Sequence, residues 1–147
     1  MRAIDTNVLV RLLARDDARQ LKRAEEFTAK GAWVSHLVVA ETSWVLESVY
    51  GRTREEIITA ITMLLDHEHL AIQDPDVIEA ALAGFRKNKN VSFSDLLILE
   101  IARKNGHLPW GASIANARRL RTLSNYNARP ASARRHLENG RRPPSGR

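Results

Sequence analysis

The sequence predicts an α/β fold with a mostly parallel sheet. Two observations carry it. Short apolar runs of strand length alternate with longer stretches of helical spacing. Capping residues and glycines separate the helical stretches where helices should begin and end. The chain shows no internal repeat.

Arg2-Ala3-Ile4 reads as a short buried strand ending at Asp5. Thr6 opens a helix with Val8, Leu9, Leu12 and Leu13 at helical spacing. Asp16 or Asp17 caps a second helix through Phe27, with Leu21, Ala24 and Phe27 inward, and Gly31 ends it. Ala32-Trp33-Val34-Ser35 is the second strand. Leu37 to Tyr50 is a helix with Val38, Val45, Leu46 and Val49 apolar, stopped by Gly51. Thr53 with Glu56 is a capping-box signature, and the helix it opens carries Ile57, Ile58, Ile61, Leu64 and Leu65. Leu70-Ala71-Ile72 is a third strand. Asp74 and Pro75 are a cap and first-turn pair for a helix to Phe85. Residues 87–90 turn. Ser94 caps a helix from Asp95 to Lys104, ended by Gly106, and His107 to Trp110 offers a further strand.

The 147 residues suit one domain, placed at 1–110, followed by an atypical tail at 111–147. No apolar run approaches the roughly 20 residues of a membrane span. Asp5 falls where an export signal would be apolar. The absence of cysteine excludes disulfides, thiolate catalysis and Cys-ligated zinc, and suits a reducing cytoplasm. The net charge of +6 is uneven. Residues 1–105 hold 14 Lys/Arg and 16 Asp/Glu, whereas residues 106–147 hold 9 Arg and one acid, Glu138. From Gly111 onward the large apolar residues are only Ile114, Leu120, Leu123 and Leu137. So little apolar surface predicts a largely disordered tail, with one or two helical turns at 117–124.

Three acids stand out by position. Asp5 sits at a strand end, Glu41 within an apolar or small stretch, and Asp95 in a first helical turn before Leu96, Leu97, Ile98 and Leu99. Taken singly, each has a plain structural role: a turn or cap for Asp5, a partly exposed helix position for Glu41, a dipole-favoured charge for Asp95. Converging, they would repel one another and need a cation. An all-oxygen site suits Mg²⁺, which takes one or two carboxylates, waters and substrate phosphates.

Asp5-Thr6-Asn7-Val8-Leu9-Val10-Arg11 resembles the opening motif of the PIN-domain family, most closely the VapC-type toxins of bacterial toxin–antitoxin pairs. Ala40-Glu41-Thr42-Ser43-Trp44-Val45-Leu46 resembles the second acidic segment, and Phe93-Ser94-Asp95-Leu96-Leu97-Ile98 the third. Gly106-His107-Leu108-Pro109 resembles the approach to the last motif. The resemblance implies a three-layer α/β/α sandwich and a Mg²⁺- or Mn²⁺-dependent endoribonuclease. It implies Asp5 and Asp95 as metal ligands, Glu41 completing the acidic cluster, and Thr6 and Asn7 supporting by hydrogen bonds. It also implies a VapB-like antitoxin, packed beside Leu12–Leu13 and Val45–Val49, an RNA substrate and a homodimer.

One departure stands out. The family's last strand carries a fourth acid, yet no Asp or Glu lies between Glu100 and Glu138 here. The last strand is therefore expected to be missing or altered. The codons GCG TTC GAT CGC CAA CGC encode Ala-Phe-Asp-Arg-Gln-Arg. Losing one T gives Ala-Ser-Ile-Ala-Asn and then Ala, the residues at 112–117. The tail thus reads as an out-of-frame version of a family-like end. Two other readings stand beside the enzyme: a catalytically impaired domain that binds an antitoxin, and an Arg-rich tail that binds RNA electrostatically.

The remaining chemistry is sparse. Trp33, Trp44 and Trp110 are expected in the core. The five histidines show no zinc spacing, no Gly-rich phosphate loop is present, and Ser35, Ser43 and Ser94 lack a His partner by motif.

Overall fold

A computed structural model describes residues 1–107. Residues 108–110 of the last expected strand, the helical turns at 117–124 and the tail lie outside them. The chain divides into two units, Met1–Ile101 and Ala102–Arg147.

The first unit runs β1 (Arg2–Ala3), α1 (Thr6–Ala14), α2 (Ala18–Thr28), β2 (Ala32–Val34), α3 (His36–Ser48), α4 (Arg54–Leu65), β3 (Leu70–Ile72), α5 (Pro75–Lys87), and most of α6 (Phe93–Lys104). The three strands form one parallel sheet in the order β1-β2-β3. Arg2 lies opposite Ala32, and Val34 opposite Ile72. Parallel pairing demands long crossovers, and the helices supply them. The expected α/β class therefore holds, in a form consistent with an α/β/α sandwich. Among the described residues β1 pairs only with β2.

The caps explain the helix boundaries. Asp5 Oδ1 accepts from the Val8 amide, Asp17 from Arg19 and Gln20, and Ser35 from Val38. Thr53 and Glu56 form the reciprocal box expected of them. Two expected caps change. Ser92, not Ser94, caps α6: its Oγ accepts from the Asp95 amide at 3.1 Å. Asp74 precedes α5 in the left-handed region, at φ 43°, and makes no side-chain cap bond. Its carboxylate lies 3.8 Å from His36 Nε2 instead.

The core gathers Leu9, Val34, Ile57, Ile61, Ile78 and Leu97, all almost fully buried. α1 packs on α2 and α3, α3 on α4, and α4 on α5. The Arg11 guanidinium donates to Asp16 and to the Tyr50 hydroxyl, tying the end of α1 to the end of α3. Arg54, the first residue of α4, donates to the carbonyls of Phe85, Lys89 and Val91 and stacks 3.7 Å from the Phe85 ring centre. It fastens the turn between α5 and α6. There Phe85 meets Phe93 edge-on at 5.8 Å, and Gly84 admits Leu96.

Three apolar expectations fail. Trp33 is 40% exposed, Trp44 59% and Val49 67%. Trp33 lies between buried Ala32 and Val34, so strand alternation turns it to the other face of the sheet. On α3 the buried residues are Val39, Thr42, Ser43 and Leu46, a face that excludes Trp44 and Val49.

Of the second unit, Ala102 to His107 are described. Gly106, at φ 75°, donates to the Arg103 carbonyl and His107 to that of Ala102. This is a Schellman ending, which stops α6 where the glycine predicted it. His107 belongs to it rather than to a strand.

Candidate active site

Asp5 lies two residues past β1, and the Ile4 amide between them donates to the Trp33 carbonyl. The carboxylate is exposed and uses Oδ1 to cap α1 at 3.0 Å. The plain structural role and the proposed chemical role therefore fall on one side chain. Placing a carboxylate there is favourable, because the helix N-terminus is its positive end.

Thr6 is the link to the second acid. Its buried hydroxyl donates to Glu41 Oε2 at 2.6 Å, across 35 positions of sequence. The packing of α1 against α3 makes this bond possible. A short bond to a carboxylate is among the stronger hydrogen bonds. It fixes Glu41 beside the first turn of α1. Asn7, the next residue along, is exposed.

Asp95 is half-buried in the first turn of α6, its amide satisfied by Ser92. The start of α6 lies against α3: Ser43, Trp44 and Glu47 line one small recess with Ser92 and Ser94. Thr6 and Glu41 are thus brought together, and Asp5 is the chain neighbour of Thr6. Asp95 belongs to a helix whose start borders the same α3 across that recess. Among the described residues, no group of three His, Asp or Glu side chains is placed to hold a metal ion.

The donor chemistry still fits a hard divalent ion. Asp5, Glu41 and Asp95 offer only carboxylate oxygens, and Mg²⁺ needs one or two of them beside water and substrate phosphate. The sequence reading missed three features. The resemblance implies a supporting hydrogen bond from Thr6, but no local signal names Glu41 as its partner. The cap Ser92 and the exposure of Trp44 had faint ones: a second serine two residues away, and a position three after an acid that must itself face solvent.

No helix among the described residues is long and apolar enough to cross a membrane. No curated protein and no solved structure matches the chain. A family model does: the PIN domain matches residues 3–107, which spans all three acids. PIN domains are generally nucleases that typically use divalent metals, and they are common in toxin–antitoxin systems. With the larger part of its length matched, this chain belongs to the PIN domain family.

Proposed function

We propose that this chain is the toxin of a type II toxin–antitoxin pair. Its activity is Mg²⁺- or Mn²⁺-dependent endoribonuclease, directed at single-stranded regions of a cellular RNA such as a tRNA or ribosomal RNA. The observation that carries the reading is the Thr6–Glu41 bond, which fixes an acid of α3 at the start of α1, next in sequence to Asp5. Asp5 and Asp95 would hold the ion and Glu41 completes the acidic cluster, with Thr6 and Asn7 in support. A bound ion supplies an activated water and stabilises the charge that develops in phosphodiester cleavage. The protein holds Glu41 in place through the Thr6 hydroxyl and keeps Asp5 open to solvent.

The partner is a VapB-like antitoxin. A groove of about 360 Å³ lies beside α4, lined by Leu13, Leu46, Ala60, Met63, Arg52 and Glu55. Its apolar floor and charged rim suit an amphipathic segment. Homodimerisation and a cytoplasmic setting complete the reading. The tail is assigned to an altered reading frame, and the coding DNA around codons 111–113 tests this: another frame must restore Phe-Asp-Arg.

The test of the activity is metal-dependent cleavage of RNA by the purified full chain, with Asp5→Asn beside it. Asn caps a helix as well as Asp does, so the variant removes the charge and keeps the fold. Cleavage should need Mg²⁺ or Mn²⁺ and fall on the order of 100-fold in the variant. Equal cleavage by both proteins sinks the proposal. The missing acid between Glu100 and Glu138 favours one second reading, an impaired domain that binds antitoxin without cutting. A folded chain that holds an antitoxin peptide and cleaves no RNA selects it.

A further inference from the structure

Three large apolar side chains stand in solvent on the helices that carry Glu41 and Asp95. Leu37, Glu41 and Trp44 share one face of α3 by their spacing. Leu37 is 75% exposed and Trp44 59%. On α6, Ile98 follows Asp95 by three and is 48% exposed. Trp44 is the largest of these groups. It also borders the recess at the start of α6, beside Ser92 and Ser94.

An exposed indole beside acids that act on a phosphodiester has one evident use. We infer that Trp44 is a stacking platform for a nucleobase of a single-stranded RNA, next to the bond to be cleaved. The inference rests on the nuclease reading above. The recess measures about 40 Å³, little more than one water's share of the liquid, ~30 Å³. It takes the edge of a base, while the ring lies on the open indole face. Ser94 and Glu47 border the recess and offer a hydroxyl and a carboxylate to that edge. A carboxylate accepts from exocyclic amino groups, so bases with an amino edge are preferred over uracil.

Charge decides against a second copy of the chain as the occupant. Glu41 and Asp95 interrupt the apolar positions. A two-fold contact through this face would bury carboxylates against their own kind. RNA phosphates meet the same repulsion, but the divalent ion of the nuclease reading would bridge them to the acids. A duplex keeps its bases stacked inside, so the platform selects single strands.

The test uses the full chain with Trp33 and Trp110 replaced by Phe, so that Trp44 alone fluoresces. A single-stranded RNA dodecamer should quench it, and the same sequence as a duplex should not. In the otherwise unaltered chain, Trp44→Ala should weaken dodecamer binding about 5- to 100-fold, the range for one lost stacked base. Trp44→Phe should recover most of that. In cleavage, the Ala variant should raise KM and leave kcat nearly unchanged. A parent that binds and cleaves RNA, with Trp44→Ala its equal, overturns the platform and leaves the nuclease reading standing. Quenching by an RNA that is never cleaved does the reverse. A dimer that Trp44→Ala converts to monomer, with RNA binding intact, makes the face a contact between copies and overturns the platform. A folded parent that neither binds nor cleaves RNA overturns both.

Discussion

Replacing Arg54 should unfasten the start of α6 from the rest of the fold. The guanidinium makes three charge-assisted bonds, of 2.8, 2.9 and 3.0 Å, to the carbonyls of Phe85, Lys89 and Val91. The bond to Lys89 is exposed, so water replaces it at little cost. The other two are partly buried, and a buried acceptor left without a donor costs roughly 1–3 kcal/mol. Stacking on Phe85 adds roughly 0.5–1 kcal/mol. Arg54→Ala should therefore lose about 3 kcal/mol, near the low end of that sum because both acceptors are only partly buried. Arg54→Met keeps a stem to lie on the ring and should lose less. Arg54→Lys, a single point of charge without the planar fork, should fall between Ala and the parent. Urea unfolding of the full chain, followed by far-ultraviolet circular dichroism, reads these values from the midpoints. Hydrogen exchange adds the location: amides at 93–97 should lose protection first. A loss below 1 kcal/mol in Arg54→Ala, with no local change in exchange, would refute the clamp.

Two further predictions concern packing and acid. A Cβ on Gly84 would lie 3.2 Å from Leu96 Cδ2, and Leu96 is buried. Gly84→Ala should be nearly neutral, because its helix gain of about 1 kcal/mol is offset by that contact. Gly84→Val should cost about 2 kcal/mol, and an unchanged urea midpoint would refute the close approach. In acid, Glu56 and Asp17 are the groups to watch. The Thr53 amide, the Arg52 side chain and the Thr53 hydroxyl hold Glu56 below its usual range. The Gln20 amide, then its side chain, and the Arg19 amide do the same for Asp17. A lowered folded-state value means stability that is present above the usual carboxylate range and lost as pH falls from that range through the folded value. Thermal midpoints should drop across that window, and Glu56→Gln with Asp17→Asn should flatten the drop. An equally steep drop in the double variant would refute the assignment.

Much of the fold was legible because caps and stops are local. Thr53 with Glu56, Asp17 and Gly106 each act within a few residues, and a reader of the chain meets all the partners at once. Ser92 and Ser94 were confused because both stand before the same apolar run. Only backbone geometry decides which hydroxyl faces the Asp95 amide. Trp33 and Trp44 were misplaced for another reason. Apolar character says that a side chain gains from burial, not that anything is there to cover it. At the site, the three acids could be picked out as unusual, and family resemblance joined them. The resemblance gave Thr6 a supporting hydrogen bond, but its partner Glu41 could not be read, because helix packing alone brings positions 35 apart into contact.

Asp5 performs its structural duty through an oxygen that Asn also possesses, and that has an evolutionary consequence. Aspartate and asparagine codons differ by one base. If Asp5 holds the ion as proposed, a single transition disarms the chemistry while leaving helix, core and grooves as they were. Under the toxin function proposed above, such a chain has a short path from weapon to decoy. A disarmed copy would still occupy the surfaces that neutralise an active one. Selection against the proposed activity would find that path far sooner than one that unfolds the protein.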